Sequence, residues 1–321
     1  MNAIVLIRPP YDPVVAGPFF GHLLGDGWKV DAYQAQEDVP DDVAAAADVI
    51  IAPLAPVDGS LLKRCPSLKL IQVPGHGYEN VSLEDARAAG VPVATIASSG
   101  AEAHTVAEWT ILMAGAVSRR LVMGHAMLAR GVFGNVDVMQ AGSFELAGKT
   151  IGIVGLGRIG REVAKRARGF DMTVVYHDAV RAPDEESLGA SYRSLNELLA
   201  ESDFVTLHVP ALESTNGLIG ARELSLMKHE AILINTSRGP VVNHNALVEA
   251  LSSGRIRGAA LDVFDPEPPP ANDPLLALGN VVLSPHMAGV TAESLLRILM
   301  AAAANCNRLA SGEALLDLVN A

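Results

Sequence analysis

The sequence predicts an α/β protein of two domains, each built on a parallel sheet. Short apolar runs of strand length recur between glycines and prolines, and segments of helical length separate them. The chain has 321 residues, enough for two ordinary domains. From Thr150 onward the alternation of strand and helix becomes regular enough to specify a doubly wound sheet.

In the first part, Ile4–Ile7, Val49–Ala52, Leu68–Val73 and Val91–Thr95 read as buried strands. Leu83, Ala86 and Ala89 share a helical face, with Glu84 and Asp85 near its start and Gly90 after its end, which suits a short capped helix. The long, mostly apolar segment Ala103–Ala129, interrupted by Glu108, reads as a buried helix or helix pair connecting the domains. Six strands follow, at Ile151–Val154, Thr173–Tyr176, Phe204–Val209, Ala231–Asn235, Ala259–Val263 and Val281–Leu283. Ala292–Leu309 is a helical stretch beyond the last strand, apolar enough to return to the first domain. Pro266-Glu267-Pro268-Pro269-Pro270 is a stiff loop, because proline lacks the amide hydrogen that a helix interior or central strand requires.

Half the residues are apolar and 19% are charged, a composition that folds rather than stays disordered. The net charge of −12 repels a phosphate backbone, which argues against nucleic acid as a partner. No apolar stretch reaches the roughly 20 residues of a membrane span, and no export signal precedes Ile4. Cys65 and Cys306 have neither zinc-site nor disulfide-framework spacing, so no metal site is expected and a reducing, cytoplasmic setting is.

Gly155-Leu156-Gly157-Arg158-Ile159-Gly160 follows the Ile151–Val154 strand and opens a helix containing Val163 and Ala164. Gly155 allows a tight turn, Gly157 lets the backbone approach a pyrophosphate, and Gly160 lets helix pack on strand. The next strand ends in Tyr176-His177-Asp178, which puts a carboxylate 18 residues beyond Gly160, where adenosine ribose hydroxyls are bound. Asp178 accepts such hydroxyls and repels a 2′-phosphate, so NAD is expected in preference to NADP. Arg181, three residues on, works against that preference, since it could reach a phosphate.

Arg238, Glu267 and His286 each stand at or just past a strand end, at the edge where open parallel sheets bind ligands. Hydride transfer on a hydroxy acid needs a cation for the carboxylate, a group that exchanges the hydroxyl proton, and a partner that holds that group. One histidine among nine is more often structural than catalytic. Three such residues behind a dinucleotide loop are a constellation.

From about Val49 to the end, the sequence resembles the D-isomer-specific 2-hydroxyacid dehydrogenases. The resemblance rests on Gly75-His76-Gly77-Tyr78-Glu79-Asn80-Val81, Val106-Ala107-Glu108-Trp109, Gly155–Gly160, Leu207-His208-Val209-Pro210, Ile234–Gly239, Leu261-Asp262-Val263-Phe264 and Ser284-Pro285-His286-Met287-Ala288-Gly289. It implies two doubly wound domains. A flavodoxin-like substrate domain would comprise residues 1–100 and 290–321, and an inserted Rossmann NAD-binding domain residues 101–289, with the active cleft between them. It further implies a homodimer.

Position by position, Arg238 would hold the carboxylate, aided by the backbone amides of His76 and Gly77. His286 would be the acid or base, with Glu267 favouring its imidazolium form, and Asp262 would contact the nicotinamide amide. Arg158, Ile159, Val209, Pro210 and Thr236 would line the cofactor site beside the three glycines, Asp178, Arg238 and His286. The implied substrate is a small, non-phosphorylated 2-oxo acid such as glyoxylate or hydroxypyruvate. Phosphoglycerate dehydrogenases commonly carry basic residues where this chain has Val73-Pro74, and formate dehydrogenases have glutamine where it has Glu267. Glu79 and Trp109 stand where aspartate and histidine are common. The loops around Arg8–Tyr11, Leu54 and His76–Tyr78 would set selectivity. Phosphite oxidation and an NADH-sensing scaffold of the corepressor type are the alternatives.

Overall fold

The structure is a computed structural model and describes residues 1–53 and 55–320; Leu54 lies outside the described residues. The chain divides into two compact units, residues 1–102 with 291–321, and residues 103–290.

The first unit runs β1 (Asn2–Leu6), α1 (Pro13–Leu24), β2 (Lys29–Tyr33), α2 (Asp41–Ala46), β3 (Val49–Ile51), α3 (Gly59–Leu62), β4 (Leu70–Gln72), α4 (Leu83–Ala88) and β5 (Val93–Ala94). All pairings are parallel, in the order β2-β1-β3-β4-β5, the flavodoxin-like order. Every residue of β3 and β4 is buried, which is why both read as unbroken apolar runs. The strand β2 is different: it lies at the sheet edge, carries Lys29 and Asp31, and has no fully buried residue. It was therefore absent from the sequence reading. Ser82 caps α4 by accepting from the Asp85 amide at 3.3 Å, and such a cap contributes about 1 kcal/mol.

The second unit contains α5 (Ala103–Ser118), α6 (Leu121–Ala129), α7 (Asn135–Gln140), β6 (Thr150–Val154), α8 (Arg158–Arg168), β7 (Thr173–His177), α9 (Glu185–Leu188) and β8 (Ala190–Tyr192). It continues through α10 (Leu195–Glu201), β9 (Phe204–Leu207), α11 (Ala221–Leu226), β10 (Ile232–Asn235), α12 (His244–Ser252), β11 (Gly258–Leu261) and β12 (Val281–Leu283). Seven parallel strands lie in the order β12-β11-β10-β9-β6-β7-β8, one more than the sequence predicts. The extra strand is β8, a three-residue edge strand in which only Ala190 is buried. Separate apolar cores cover the two sheet faces. One includes Ile153, Val163, Ala164 and Ile111, the other Leu198, Leu224, Leu247 and Leu261. Truncating a leucine or isoleucine of either core to alanine costs about 2–5 kcal/mol.

The segment Ala103–Ala129 is two helices, bent by 63° where Arg120 takes φ +52°. Only the first is buried: α5 packs on α8, whereas α6 has no buried residue at all. Among the described residues no single helix is long and apolar enough to cross a membrane.

The last helix, α13 (Ala292–Ala310), belongs to the first unit. Asn305 Nδ2 donates to Gln72 Oε1 at 2.7 Å, and Asn305 Oδ1 accepts from the Leu316 amide at 3.0 Å. Both amide side chains are buried, where a lost partner costs about 1–3 kcal/mol, so this match fixes where the helix docks on β4.

Candidate active site

In the second unit the direction of winding reverses between β6 and β9, and the loops leaving those strands hold Gly155–Gly160 and His208–Pro210. Gly155 has φ +96°, and a Cβ there would stand 2.8 Å from the His208 carbonyl oxygen. At Gly160 a Cβ would stand 2.2 Å from the Gly155 carbonyl oxygen, so α8 rests directly on the loop. Gly157 precedes α8, is exposed, and has no atom within 4 Å of where its Cβ would be. Open space over a helix start is what an anion requires.

Asp178 follows β7 and closes the other side of the loop. Its Oδ2 accepts from the Leu156 amide at 2.8 Å and its Oδ1 from the Ala179 amide at 2.7 Å. A carboxylate has about four acceptor sites, so capacity remains for ribose hydroxyls. Arg158 opens α8, and Ile159 packs on the core. Val209 packs on the opposite core, and the Pro210 carbonyl accepts from Thr215 Oγ1 at 2.6 Å. Thr236 is buried, its hydroxyl 3.1 Å from that of Thr110. These residues fit a dinucleotide. His208 adds no charge to the neighbouring loop: its Nε2 lies 2.9 Å from Thr206 Oγ1, and burial lowers its pKa to about 3, leaving a neutral ring.

The strands β10, β11 and β12 are neighbours, and the loops leaving them carry Arg238, Asp262 with Glu267, and His286. The sheet brings two of the three expected catalytic side chains into contact: His286 Nδ1 is 2.7 Å from Glu267 Oε2. Glu267 is itself held, its Oε1 accepting from the Phe264 amide at 2.8 Å. Arg238 lies on the adjoining loop, with Nη1 donating to the Ser237 carbonyl at 2.8 Å. A Cβ on Gly239 would fall 2.0 Å from the Phe264 carbonyl oxygen, so the loops bearing Arg238 and Glu267 run in backbone contact.

His286 has φ +51°, a left-handed conformation that costs a non-glycine residue about 1–3 kcal/mol. Asp262 provides the restraint. It is buried, and its carboxylate accepts from Ser284 Oγ at 2.5 Å, the Met287 amide at 2.9 Å and the Ala288 amide at 2.8 Å. Its carbonyl accepts from the His286 amide at 2.8 Å. Hydrogen bonds to a charged group contribute about 1.5–3 kcal/mol each, so three of them outweigh the strain. Trp109 extends the set, with Nε1 3.2 Å from Ser284 Oγ. The sequence reading missed Ser284 and this restraining role of Asp262; the only signal was their place in the motifs around Asp262 and His286.

In the first unit, the loop after β4 carries His76 and Gly77. Gln72 braces it from below, with Nε2 donating to the Val73 and Thr95 carbonyls at 3.1 and 3.0 Å. His76 Nδ1 meets the Glu102 carboxylate, a partner that the sequence reading did not name. No group of three histidine, cysteine or acidic residues among the described residues is placed to hold a metal ion.

A glycine loop at a switch point, with a histidine–glutamate pair and an arginine on neighbouring strand ends, defines a dinucleotide-dependent oxidoreductase. The family model for the D-isomer specific 2-hydroxyacid dehydrogenase NAD binding domain matches residues 111–288. Glyoxylate reductase of Korarchaeum cryptofilum is 38% identical over 302 residues, covering 93% of this chain and 90% of that one. Glyoxylate reductase of Thermococcus litoralis is 43% identical over 269 residues, covering 82% and 80%. D-lactate dehydrogenase of Aquifex aeolicus, solved with NAD and lactic acid, superposes with a TM-score of 0.82 at 29% identity, covering 100% of this chain and 99% of that one. The NAD complex of Staphylococcus aureus formate dehydrogenase gives 0.85 at 29% identity, with 100% and 99% covered. The chain belongs to the D-isomer-specific 2-hydroxyacid dehydrogenase family, NAD-dependent oxidoreductases that interconvert 2-hydroxy and 2-oxo acids.

Proposed function

We propose that this chain reduces small, non-phosphorylated 2-oxo acids, glyoxylate and hydroxypyruvate foremost, to D-2-hydroxy acids with NADH. The observation that carries this reading is the 2.7 Å His286–Glu267 contact on a loop pinned by Asp262. The names of the relatives support glyoxylate, and Val73-Pro74 before the His76 loop offers no cation for a phosphorylated substrate.

Residues 1–100 and 290–321 serve as the substrate domain and 101–289 as the cofactor domain. Gly155, Gly157 and Gly160 with Arg158 and Ile159 hold the pyrophosphate, and Asp178 takes the ribose hydroxyls. Val209, Pro210 and Thr236 line the channel, and Asp262 offers its remaining Oδ2 acceptor site to the nicotinamide amide. When bound, NADH supplies a hydride for the carbonyl carbon. Arg238 pairs with the substrate carboxylate and polarises the carbonyl, and the amides of His76 and Gly77 meet the same carboxylate. Glu267 accepts from Nδ1 of His286, which leaves Nε2–H as the donor to the carbonyl oxygen. In the reverse direction Nε2 takes the hydroxyl proton.

Loss of NADH absorbance, measured across glyoxylate, hydroxypyruvate, pyruvate and aromatic 2-oxo acids, tests this. Turnover highest on the first two is the expected result. Silence on every oxo acid with NADH still bound would favour the sensor reading, and NAD reduction by phosphite alone would favour the other alternative.

The protein acts as a homodimer in a reducing, cytoplasmic setting. Both cysteines are buried and unpaired, and burial raises their pKa values to about 11 and about 12, so they stay as inert thiols. Neither α6 nor α7 buries a residue, and Leu121, Leu128, Phe133, Val136 and Met139 are all exposed, Phe133 by 84%. An apolar face of this kind marks an interface, and a second copy is the occupant that a dimer requires. Phe133→Glu with Val136→Lys is expected to yield monomers in sedimentation analysis, and an unchanged dimer would refute this assignment of the surface.

A further inference from the structure

The segment after β7 carries two features with opposite meanings for cofactor choice. Asp178 disfavours a 2′-phosphate, whereas an arginine close behind such a carboxylate is the usual means of accepting one. Arg181 stands three residues past Asp178, yet its guanidinium is turned to Glu185. Arg181 Nε donates to Glu185 Oε1 at 2.9 Å, Nη2 contacts the same oxygen, and the guanidinium carbon lies 5.9 Å from the Tyr192 ring centre.

Glu185 is the fixed partner in this pair. It opens α9, its side chain is 13% exposed, and its Oε2 accepts from Tyr176 Oη at 2.5 Å. The Tyr176 ring is fully buried in β7, and its hydroxyl also accepts from the Ala182 amide at 2.9 Å. Arg181 is the mobile partner, with 69% of its side chain exposed. The arginine therefore comes to the glutamate.

We propose that Glu185 is a cofactor-specificity residue acting as a positioning group: by holding Arg181, it withholds a cation that would otherwise meet the 2′-phosphate of NADP. This rests on the reading that Asp178 receives the adenosine ribose. Two devices then exclude NADP. Asp178 repels the phosphate directly, and Glu185 competes with it for the guanidinium. A 2′-phosphate and a carboxylate make the same kind of charge-assisted bond to arginine, so removing the carboxylate frees the arginine for the phosphate.

The test is fluorescence titration of the full-length protein with NADH and NADPH in the wild type, Glu185→Gln, and Glu185→Gln combined with Arg181→Gln. Glutamine keeps an acceptor for the Tyr176 hydroxyl and removes the charge. The single variant is expected to bind NADPH about fivefold more tightly with NADH affinity nearly unchanged, the gain expected from freeing one exposed cation. The double variant should lose that gain. A merely structural role would move both affinities together and would not depend on Arg181. An unchanged NADPH-to-NADH ratio in the single variant, or a gain that survives Arg181→Gln, overturns the proposal. If Glu185→Gln fails to fold, Glu185→Asp shortens the tether with its charge retained and must shift the ratio in the same direction. A wild type that binds NADPH as tightly as NADH would instead refute the role given to Asp178.

Discussion

Replacing His286 with glutamine is expected to lower kcat for 2-oxo acid reduction by about 10²–10⁴, the usual contribution of a positioned acid–base group. Glutamine is close to histidine in size and can hydrogen bond, but it cannot deliver a proton at the position of Nε2. Glu267 would keep its own support from the Phe264 amide, so the loop geometry should persist. NADH affinity, read by fluorescence, should fall far less than kcat, because the glycine loop and Asp178, proposed to hold the pyrophosphate and ribose, follow β6 and β7 rather than β12. A variant with wild-type kcat would remove His286 from the mechanism. A loss confined to NADH binding would make it a structural residue instead.

The second large effect is expected at the glycine loop, where two glycines separate packing from ligand approach. Gly160→Ala places a methyl group 2.2 Å from the Gly155 carbonyl oxygen, so α8 or the loop must move. Overpacking of this kind costs about 1–3 kcal/mol, which predicts a Tm lower by several degrees together with loss of NADH binding. Gly157→Ala meets no protein atom within 4 Å and should leave Tm nearly unchanged. Its NADH affinity should still fall, because the methyl group occupies the space assigned to the pyrophosphate. Equal melting temperatures in the two variants, or undiminished NADH affinity in Gly157→Ala, would break the assignment of this loop.

Much of the second unit was legible because its central strands are short, apolar and buried on both faces. Ile151–Val154, Phe204–Leu207 and Ile232–Asn235 leave a signal that needs no knowledge of neighbours. Edge strands leave none. Lys29–Tyr33 and Ala190–Tyr192 pair on one side only and keep polar residues, so hydrophobic pattern alone passes over them. The segment Ala103–Ala129 shows the opposite failure. Both of its helices are mostly apolar, yet α5 is buried and α6 is not, since composition does not say which surface finds a partner within the chain.

The constellation of strand-end residues proposed as catalytic was legible for a related reason. In a parallel sheet, strand ends fall on one edge, so residues distant in sequence but equivalent in position are brought close. That rule puts Arg238, Glu267 and His286 on adjoining loops.

By itself, then, the sequence determined the α/β class, the glycine loop and the strand-end residues, because each depends on local pattern and on the periodicity of a parallel sheet. Tertiary structure alone decided which side chains restrain the site. Asp262 gripping the His286 loop, Trp109 reaching Ser284, Glu102 meeting His76 and Gln72 matching Asn305 all join residues far apart in the chain. Such polar contacts obey distance and angle in space rather than spacing along the backbone, so no sequence period carries them.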